Sequence, residues 1–355
     1  MIYRNLGNTG LKVSVYSFGN WVNGDKKSDQ DNQIELFKTA YEAGINFFDT
    51  AEYYGYGEGE RQLGEAIKSI GCSREDLVIS TKIYWGTSDV EKHVNSNGLS
   101  RKHLIEGIQS SLNRLQLNYV DIIYCHRPDY EVSIESVCRT MSWIIDQGYA
   151  HYWGTSEWSA AYIGIAIVTC EKLGLHKPTV EQPQYNILFR EKFEKEYRDI
   201  FELYPYGSTV WSPLASGFLS GKYNKEQKPD GSRLVSTEWK IFYEGISKSV
   251  PDMFSKLEQL EKLAEELGYT QAQLALAWVA ANTDVTTCIL GARNKKQLLE
   301  NLKALELLKK WTPEIEQSVN NIFKNNMSPE IDFKKGVPDF KFRKNRRDIV
   351  LYKTN

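Results

Sequence analysis

No stretch of the chain approaches the length of an apolar membrane span, and no apolar signal core follows Met1, where Tyr3, Arg4 and Asn5 come almost at once. Neither membrane insertion nor secretion is therefore expected. Cysteine is scarce: Cys72, Cys125, Cys138, Cys170 and Cys288 are scattered, odd in number and never in a CxxC pair. That argues against a disulfide framework or a thiolate zinc site and for reduced thiols in a cytoplasmic protein. The 5 histidines are too dispersed to suggest any metal centre. An excess of charge of either sign is also missing. A formal net charge of -2 and a pI near 6.3 give no basis for general affinity toward nucleic acid or acidic membranes. Pro/Ser-rich linkers, composition shifts and short-period repeats are absent too, so the 355 residues read as one domain. Their hydrophobic content of 41% and mean hydropathy of -0.48 suit a globular protein with a full core.

What is present is a rhythm. After a hairpin over residues 2–13, turning at Gly7-Asn8-Thr9-Gly10, short β-rich runs alternate with longer segments of helical period. The strands are expected near Ser14–Phe18, Asn46–Asp49, Leu77–Lys82, Asp121–Cys125, His151–Thr155, Thr179–Gln182, Thr209–Trp211 and Thr287–Leu290. Helices are expected at Gln33–Ala43, Arg101–Arg114, Ser133–Asp146 and Ala160–Leu173, with Asp31, Ser100 and Ser159 as N-caps and Gly44, Gly148 and Gly174 closing them. Eight strand–helix units fit an α/β fold of the (β/α)8 TIM-barrel kind, with an N-terminal hairpin and a C-terminal helix plus tail. Residues 1–326 form the barrel in this reading and residues 327–355 a basic tail, solvated rather than dedicated to a partner. A polar insertion over 222–250 has the length of a functional cover.

In such barrels chemistry sits at the carboxyl ends of the strands. There the second strand carries Asp49 and Tyr54, the third Lys82 and the fourth His126. Singly, a lysine at a strand end is usually solvated and a histidine usually structural. Together they suit protonation of a carbonyl oxygen while hydride arrives at carbon. The carboxylate would hold the ammonium, the ammonium would lower the phenol from its usual value of about 10, and the histidine would orient the carbonyl. Gly55-Tyr56-Gly57-Glu58-Gly59 is no dinucleotide fingerprint, and Gly217–Lys222 is one residue short of a P-loop. Trp21, Trp85 and Trp211 are placed to ring the mouth. As residues they suit stacking on a cofactor, walling an aromatic substrate pocket (Trp21 and Trp85) or simple core packing.

The runs Phe48-Asp49-Thr50-Ala51-Glu52-x-Tyr54, Thr81-Lys82 and Tyr124-Cys125-His126-Arg127-Pro128-Asp129 resemble the aldo-keto reductase superfamily. The resemblance is closest to its branch of voltage-gated potassium channel β-subunits, extending from Tyr3 to about Phe323 and including Gly98–His103 and Tyr152–Ser156. It implies Tyr54 as general acid, Asp49 and Lys82 as its tuning pair, and His126 as the carbonyl-orienting residue. Animal channel subunits carry Asn where His126 stands, whereas plant-type members look like this chain, which implies competent reduction. For the cofactor, NADPH/NADP+, the resemblance implies nicotinamide contacts from Ser156 and Gln182. It implies a pyrophosphate loop over Trp211, Ser212, Pro213, Leu214, Ala215 and Ser216, and covering cations Lys222 and Arg233. Read without the resemblance, Arg233 belongs to a solvated basic loop. Gly291 is expected to open a helix facing the mouth after strand eight, where Arg293 suits a 2′-phosphate. The resemblance implies that Gln297, Glu300 and Asn301 take the adenosine half. The expected activity is NADPH-dependent reduction of a small-molecule aldehyde or ketone. The alternative is a homotetrameric regulatory subunit docked on a potassium channel's cytoplasmic domain, peripheral to the membrane. With Met1 directly at the hairpin, the N-terminal inactivating extension of some animal members is not expected.

Overall fold

In a computed structural model, residues 1–21, 30–88, 93–224 and 240–327 are described. Arg233 and tail residues 328–355 lie outside them, as does the middle of the 222–250 insertion. All eight expected barrel strands form: β3 (Tyr16–Gly19), β4 (Phe47–Asp49), β5 (Val78–Ile83), β6 (Val120–Cys125), β7 (Ala150–Thr155), β8 (Val180–Glu181), β9 (Gly207–Val210) and β10 (Thr287–Leu290). They pair in parallel in sequence order, and β10 closes on β3. The hairpin strands β1 (Tyr3–Asn5) and β2 (Lys12–Ser14) pair antiparallel outside this ring.

The helices around the ring are α1 (Gln30–Glu42), α2 (Glu58–Ile70), α3 (Arg101–Leu115), α4 (Ile134–Asp146), α5 (Ala160–Leu173) and α6 (Arg198–Leu203). After β9 come α7 (Lys240–Ser247), α8 (Met253–Glu266) and α9 (Gln271–Ala281), and after β10 come α10 (Lys295–Leu302), α11 (Ala304–Lys309) and α12 (Pro313–Phe323). Ser100 and Ser159 cap α3 and α5 as expected, their side chains accepting from the His103 and Tyr162 amides. Ser133 caps α4 rather than lying inside it. Asp31 is not a cap: α1 already includes Gln30, so its carboxylate sits in the first turn, where the helix dipole favours a negative charge. Gly44, Gly148 and Gly174 all have the left-handed backbone expected at helix ends.

Alternation along the strands sorts side chains into two cores. Outward residues such as Phe48, Ile79, Ile83 and Ile123 pack under the helices. Inward residues Phe47, Val78, Ile122, Tyr124 and Val180 fill the barrel floor together with Leu6 and Val13 of the hairpin. The hairpin thus plugs the amino-terminal end. Arg4 secures it by donating to the carbonyls of Ala280 (2.6 Å), Asn282 (3.2 Å) and Val285. Between β5, α2 and α3 a buried carboxylate does similar work: Glu60 accepts from Thr81 Oγ1 at 2.5 Å and Arg114 Nε at 2.6 Å. The same alternation that floors the barrel with apolar groups turns polar toward the other end, where Ser80, Lys82, Asp49 and Gln182 are all buried.

Candidate active site

β5 sends Val78, Ser80 and Lys82 inward in succession, so its lysine ends highest, at the carboxyl mouth. The Lys82 ammonium lies 2.5 Å from Asp49 Oδ2, 2.8 Å from the Thr50 carbonyl and 2.9 Å from the Tyr54 hydroxyl. An ammonium has three N–H bonds and no lone pair, so all three partners are acceptors and Lys82 has no donor left over. The Tyr54 oxygen therefore receives a proton bond from Lys82 while its own O–H points elsewhere. Tyr54 begins a short 3-10 turn in the loop that follows β4, and it is only partly exposed. His126 follows β6 and brings its ring within 6.1 Å of the Tyr54 ring, edge to face. The structure thus brings Asp49, Tyr54, Lys82 and His126 together.

Their protonation follows from burial and charge. Burial pushes the Tyr54 phenol up, and the Lys82 ammonium, acting the other way, does not overcome it. This corrects the expected lowering: desolvation of a phenolate outweighs one neighbouring cation already shared with a carboxylate. Burial also disfavours the Lys82 charge, but Asp49 and the Tyr54 oxygen more than compensate and its pKa is raised. His126 is held well below the usual imidazole value by burial and by the nearby cations Lys82 and Arg127. It is a neutral imidazole, and its buried Nδ1 meets no partner among the described residues.

Asp49 is itself held in place. Its Oδ1 accepts from Ser80 Oγ at 2.7 Å and from the Gln182 side-chain amide at 3.1 Å. Gln182 donates also to Thr209 Oγ1, and Ser156 Oγ donates to the Gln182 carbonyl while accepting from Arg127. These links make Ser80 and Gln182 supports of Asp49, a role not read from the sequence. The available signal was their inward register, two residues before Lys82 on β5 and directly after β8.

The rim is aromatic. Trp21 and Trp85 are 39% and 40% exposed, and Tyr53 stands between them with ring centroids 6.3 and 6.2 Å away. Trp21 also lies 4.9 Å from the Tyr54 ring. Trp211 follows β9, its indole N–H donating to Glu157 Oε1 at 2.9 Å. Glu157 also accepts from the Gln184 amide at 2.6 Å and pairs with Lys192 at 2.8 Å.

The loop after β9 is wound tightly, with left-handed backbone at Ser212, Ala215, Ser216 and Gly217. Several of its amides are engaged within the loop: Ala215 donates to the Ser212 carbonyl, Ser216 to Ser212 Oγ and Gly217 to the Leu214 carbonyl. Pro213 has no N–H to offer, so an anion here would compete with bonds the loop already makes. Lys222 folds back over this turn, close enough that a Cβ on Gly217 would strike its Cε at 2.3 Å. On the far side of β10, Gly291 does not open a helix. The cap of α10 is Asn294, whose side chain accepts from the Gln297 amide, and Gln297 Oε1 accepts from the Arg293 amide. Arg293 and Gln297 are exposed, Glu300 and Asn301 half-buried; Glu300 accepts from Gln273 and pairs with Lys303. The Arg293 carbonyl accepts from Asn32, which ties this loop to α1.

A buried lysine–carboxylate–phenol cluster with a neutral imidazole, at the mouth of a parallel eight-stranded barrel, has the make-up of a general acid–base site. The Aldo/keto reductase family profile matches residues 17–319, and the chain belongs to that family. Among curated relatives, it is 43% identical over 322 residues to a probable voltage-gated potassium channel subunit beta of Oryza sativa subsp. japonica, covering 91% of this chain and 96% of the relative. It is 43% identical over 325 residues to the Arabidopsis thaliana protein of the same name, covering 92% and 97%. A putative voltage-gated potassium channel subunit beta of Schizosaccharomyces pombe is 44% identical over 335 residues, covering 94% and 96%. Among the described residues, no helix is long and apolar enough to cross a membrane.

Proposed function

We propose that the protein reduces aldehydes or ketones to alcohols with NADPH, Tyr54 being the general acid. The observation that carries this reading is the three-way grip of Lys82 on Asp49, Thr50 and Tyr54. With its oxygen already accepting from Lys82, Tyr54 directs its own proton away from the ammonium, toward a carbonyl oxygen seated at the mouth. Burial keeps that proton in place at neutral pH. As it leaves, the nascent phenolate lies 2.9 Å from an ammonium that is already oriented, so little reorganisation is required. His126, neutral, has one N–H with which to fix the carbonyl's direction.

The residues suit a nicotinamide dinucleotide, which when bound supplies the hydride. Its reactive end fits the orphaned His126 Nδ1 and the exposed indoles of Trp21 and Trp85. Ser156, Gln182, Trp211 and the 212–216 turn are the residues we assign to the nicotinamide and pyrophosphate, with Lys222 and, outside the described residues, Arg233 assigned as covering cations. Gly291, Arg293, Gln297, Glu300 and Asn301 take the adenosine half. Arg293 is the basis for choosing NADPH over NADH. Arg293→Ala is expected to weaken NADPH about 10- to 50-fold and leave NADH within about twofold, since one charge-assisted contact to phosphate is removed. Fluorescence titration with both cofactors measures this.

The names of the relatives favour a second reading, a subunit docked on a potassium channel; we take it to be a cytoplasmic, NADPH-loaded homotetramer that reports redox state. Single-turnover oxidation of bound NADPH by 4-nitrobenzaldehyde separates the two. Rapid decay of the bound cofactor is the result expected of a reductase. Tight binding without decay, together with co-purification of a channel's cytoplasmic domain, would instead establish the regulatory role.

A further inference from the structure

Glu52 stands two residues before Tyr54, yet the tetrad makes no use of it. It is 2% exposed, a cost that a carboxylate bears only where it is fully engaged. Its Oε1 accepts from two backbone amides, Tyr84 at 2.8 Å and Gly86 at 2.9 Å. Those amides flank Trp85. Its Oε2 lies 3.4 Å from His103 Nε2, and the other ring nitrogen of His103 contacts the Gly98 carbonyl at 2.8 Å. A carboxylate and a carbonyl can only accept, so this pair of partners favours protons on both ring nitrogens, the imidazolium form of His103.

The surroundings are shaped for this pair. Gly98 donates to the Tyr84 carbonyl at 2.7 Å, bringing the far end of the loop back to Trp85. Asp129 accepts from the Leu99 amide, and a Cβ on Gly98 would meet Asp129 Oδ2 at 2.6 Å. Gly86 takes a left-handed backbone against the Ser96 carbonyl, 2.3 Å from where its Cβ would stand. On α3, a Cβ at Gly107 would first strike Ile83 Cγ2 at 2.9 Å, with Glu52 Oε2 next at 3.4 Å, so α3 packs closely over this corner.

We infer that Glu52 is a positioning residue for the substrate side of the mouth: its carboxylate clamps the backbone on both sides of Trp85, and the His103 imidazolium holds the carboxylate. This rests on the reading of Trp85 as a wall of the carbonyl pocket. One short segment, Glu52 to Tyr54, then sets both the proton donor and the rim residue Trp85, which stands beside Tyr53.

The clamp carries a pH signature. The groups facing His103 among the described residues are Glu52 from the β4 loop, Glu106 one turn along α3 with its partner Lys102, and the Gly98 carbonyl held beside Asp129. Burial works against the imidazolium, but Glu52, Gly98 and Glu106 raise its pKa above the ordinary 6.5. A raised pKa means that the contact is complete below 6.5 and is lost as pH rises through the higher folded-state value.

The test compares wild type with Glu52→Ala, Glu52→Gln and His103→Gln by hydrogen exchange of the Tyr84–Gly86 amides, corrected for the intrinsic pH dependence, and by steady-state reduction of 4-nitrobenzaldehyde. Glu52→Ala is expected to lower protection of these amides about tenfold and raise KM about as much, with NADPH affinity within about twofold. Glu52→Gln keeps an acceptor for both amides and should restore protection and KM. In wild type, protection should fall as pH climbs above 6.5, and in Glu52→Gln and His103→Gln that fall should vanish. Equal protection in wild type and Glu52→Ala would overturn the clamp; lost protection with unchanged KM would overturn its role at the pocket. If wild type reduces no carbonyl, the reductase reading fails, while the exchange data still decide whether Glu52 clamps Trp85.

Discussion

Tyr54→Phe is expected to lower turnover about a thousandfold while NADPH binding stays within about twofold. The size follows from what general acids typically contribute, about 10²- to 10⁴-fold. The specificity follows from geometry. Phenylalanine keeps the ring that packs 4.9 Å from Trp21, so the rim survives, and only the oxygen between Lys82 and the substrate is removed. Lys82 retains Asp49 and the Thr50 carbonyl, so the fold should lose little. Rapid-mixing absorbance at the nicotinamide band, wild type beside variant, measures it. Undiminished decay in the variant would remove Tyr54 from the chemistry.

Lys82→Met is expected to damage both stability and turnover. Lys82 is fully buried and Asp49 is 2% exposed, so the substitution leaves a carboxylate out of water with Ser80 and Gln182 as its side-chain donors among the described residues. Removing one member of a buried pair typically costs about 3–5 kcal/mol, mostly the penalty of the stranded charge. Adding Asp49→Asn should therefore restore much of the stability without restoring turnover, because no ammonium then meets the nascent phenolate. Urea unfolding of the two single variants and the double variant gives the coupling. Strict additivity would mean that the pair is not linked as its 2.5 Å contact implies. In pH terms the pair is robust. The Lys82 pKa is raised above 10.5, so its stabilising contribution is complete through the neutral range and is lost only as pH rises from about there through the higher folded value.

Much of this site could be read from the residues alone because its logic is one of register. An apolar run ending in Asp49, another ending in Lys82 and a third ending before His126 must, if parallel and closed, bring those ends to one rim. What register does not contain is depth. The expected depression of the Tyr54 phenol reversed because burial outweighed Lys82, and burial depends on how the aromatic rim closes over it. Partners across the barrel were also hidden: Gln182 and Asp49 are 133 residues apart, and nothing local in either segment announces their bond. The helix after β10 was misplaced for a smaller reason. Gly291 has the composition of an opener, but the Asn294 side chain accepts from the Gln297 amide and so sets the start at Lys295. Glu52 was visible as an acid in the right segment, but its clients are backbone amides, which every residue carries.

The hairpin plug has a consequence for biosynthesis. Leu6 and Val13 seat against residues as late as Val180, and Arg4 is secured by carbonyls at Ala280, Asn282 and Val285. On a ribosome, the first dozen residues must wait for some 280 more before their seat exists, a long-range closure of the kind that slows folding. Until then the hairpin's apolar side is exposed on the nascent chain, which makes it a natural client surface for chaperones. The plug is made before the ring that seats it.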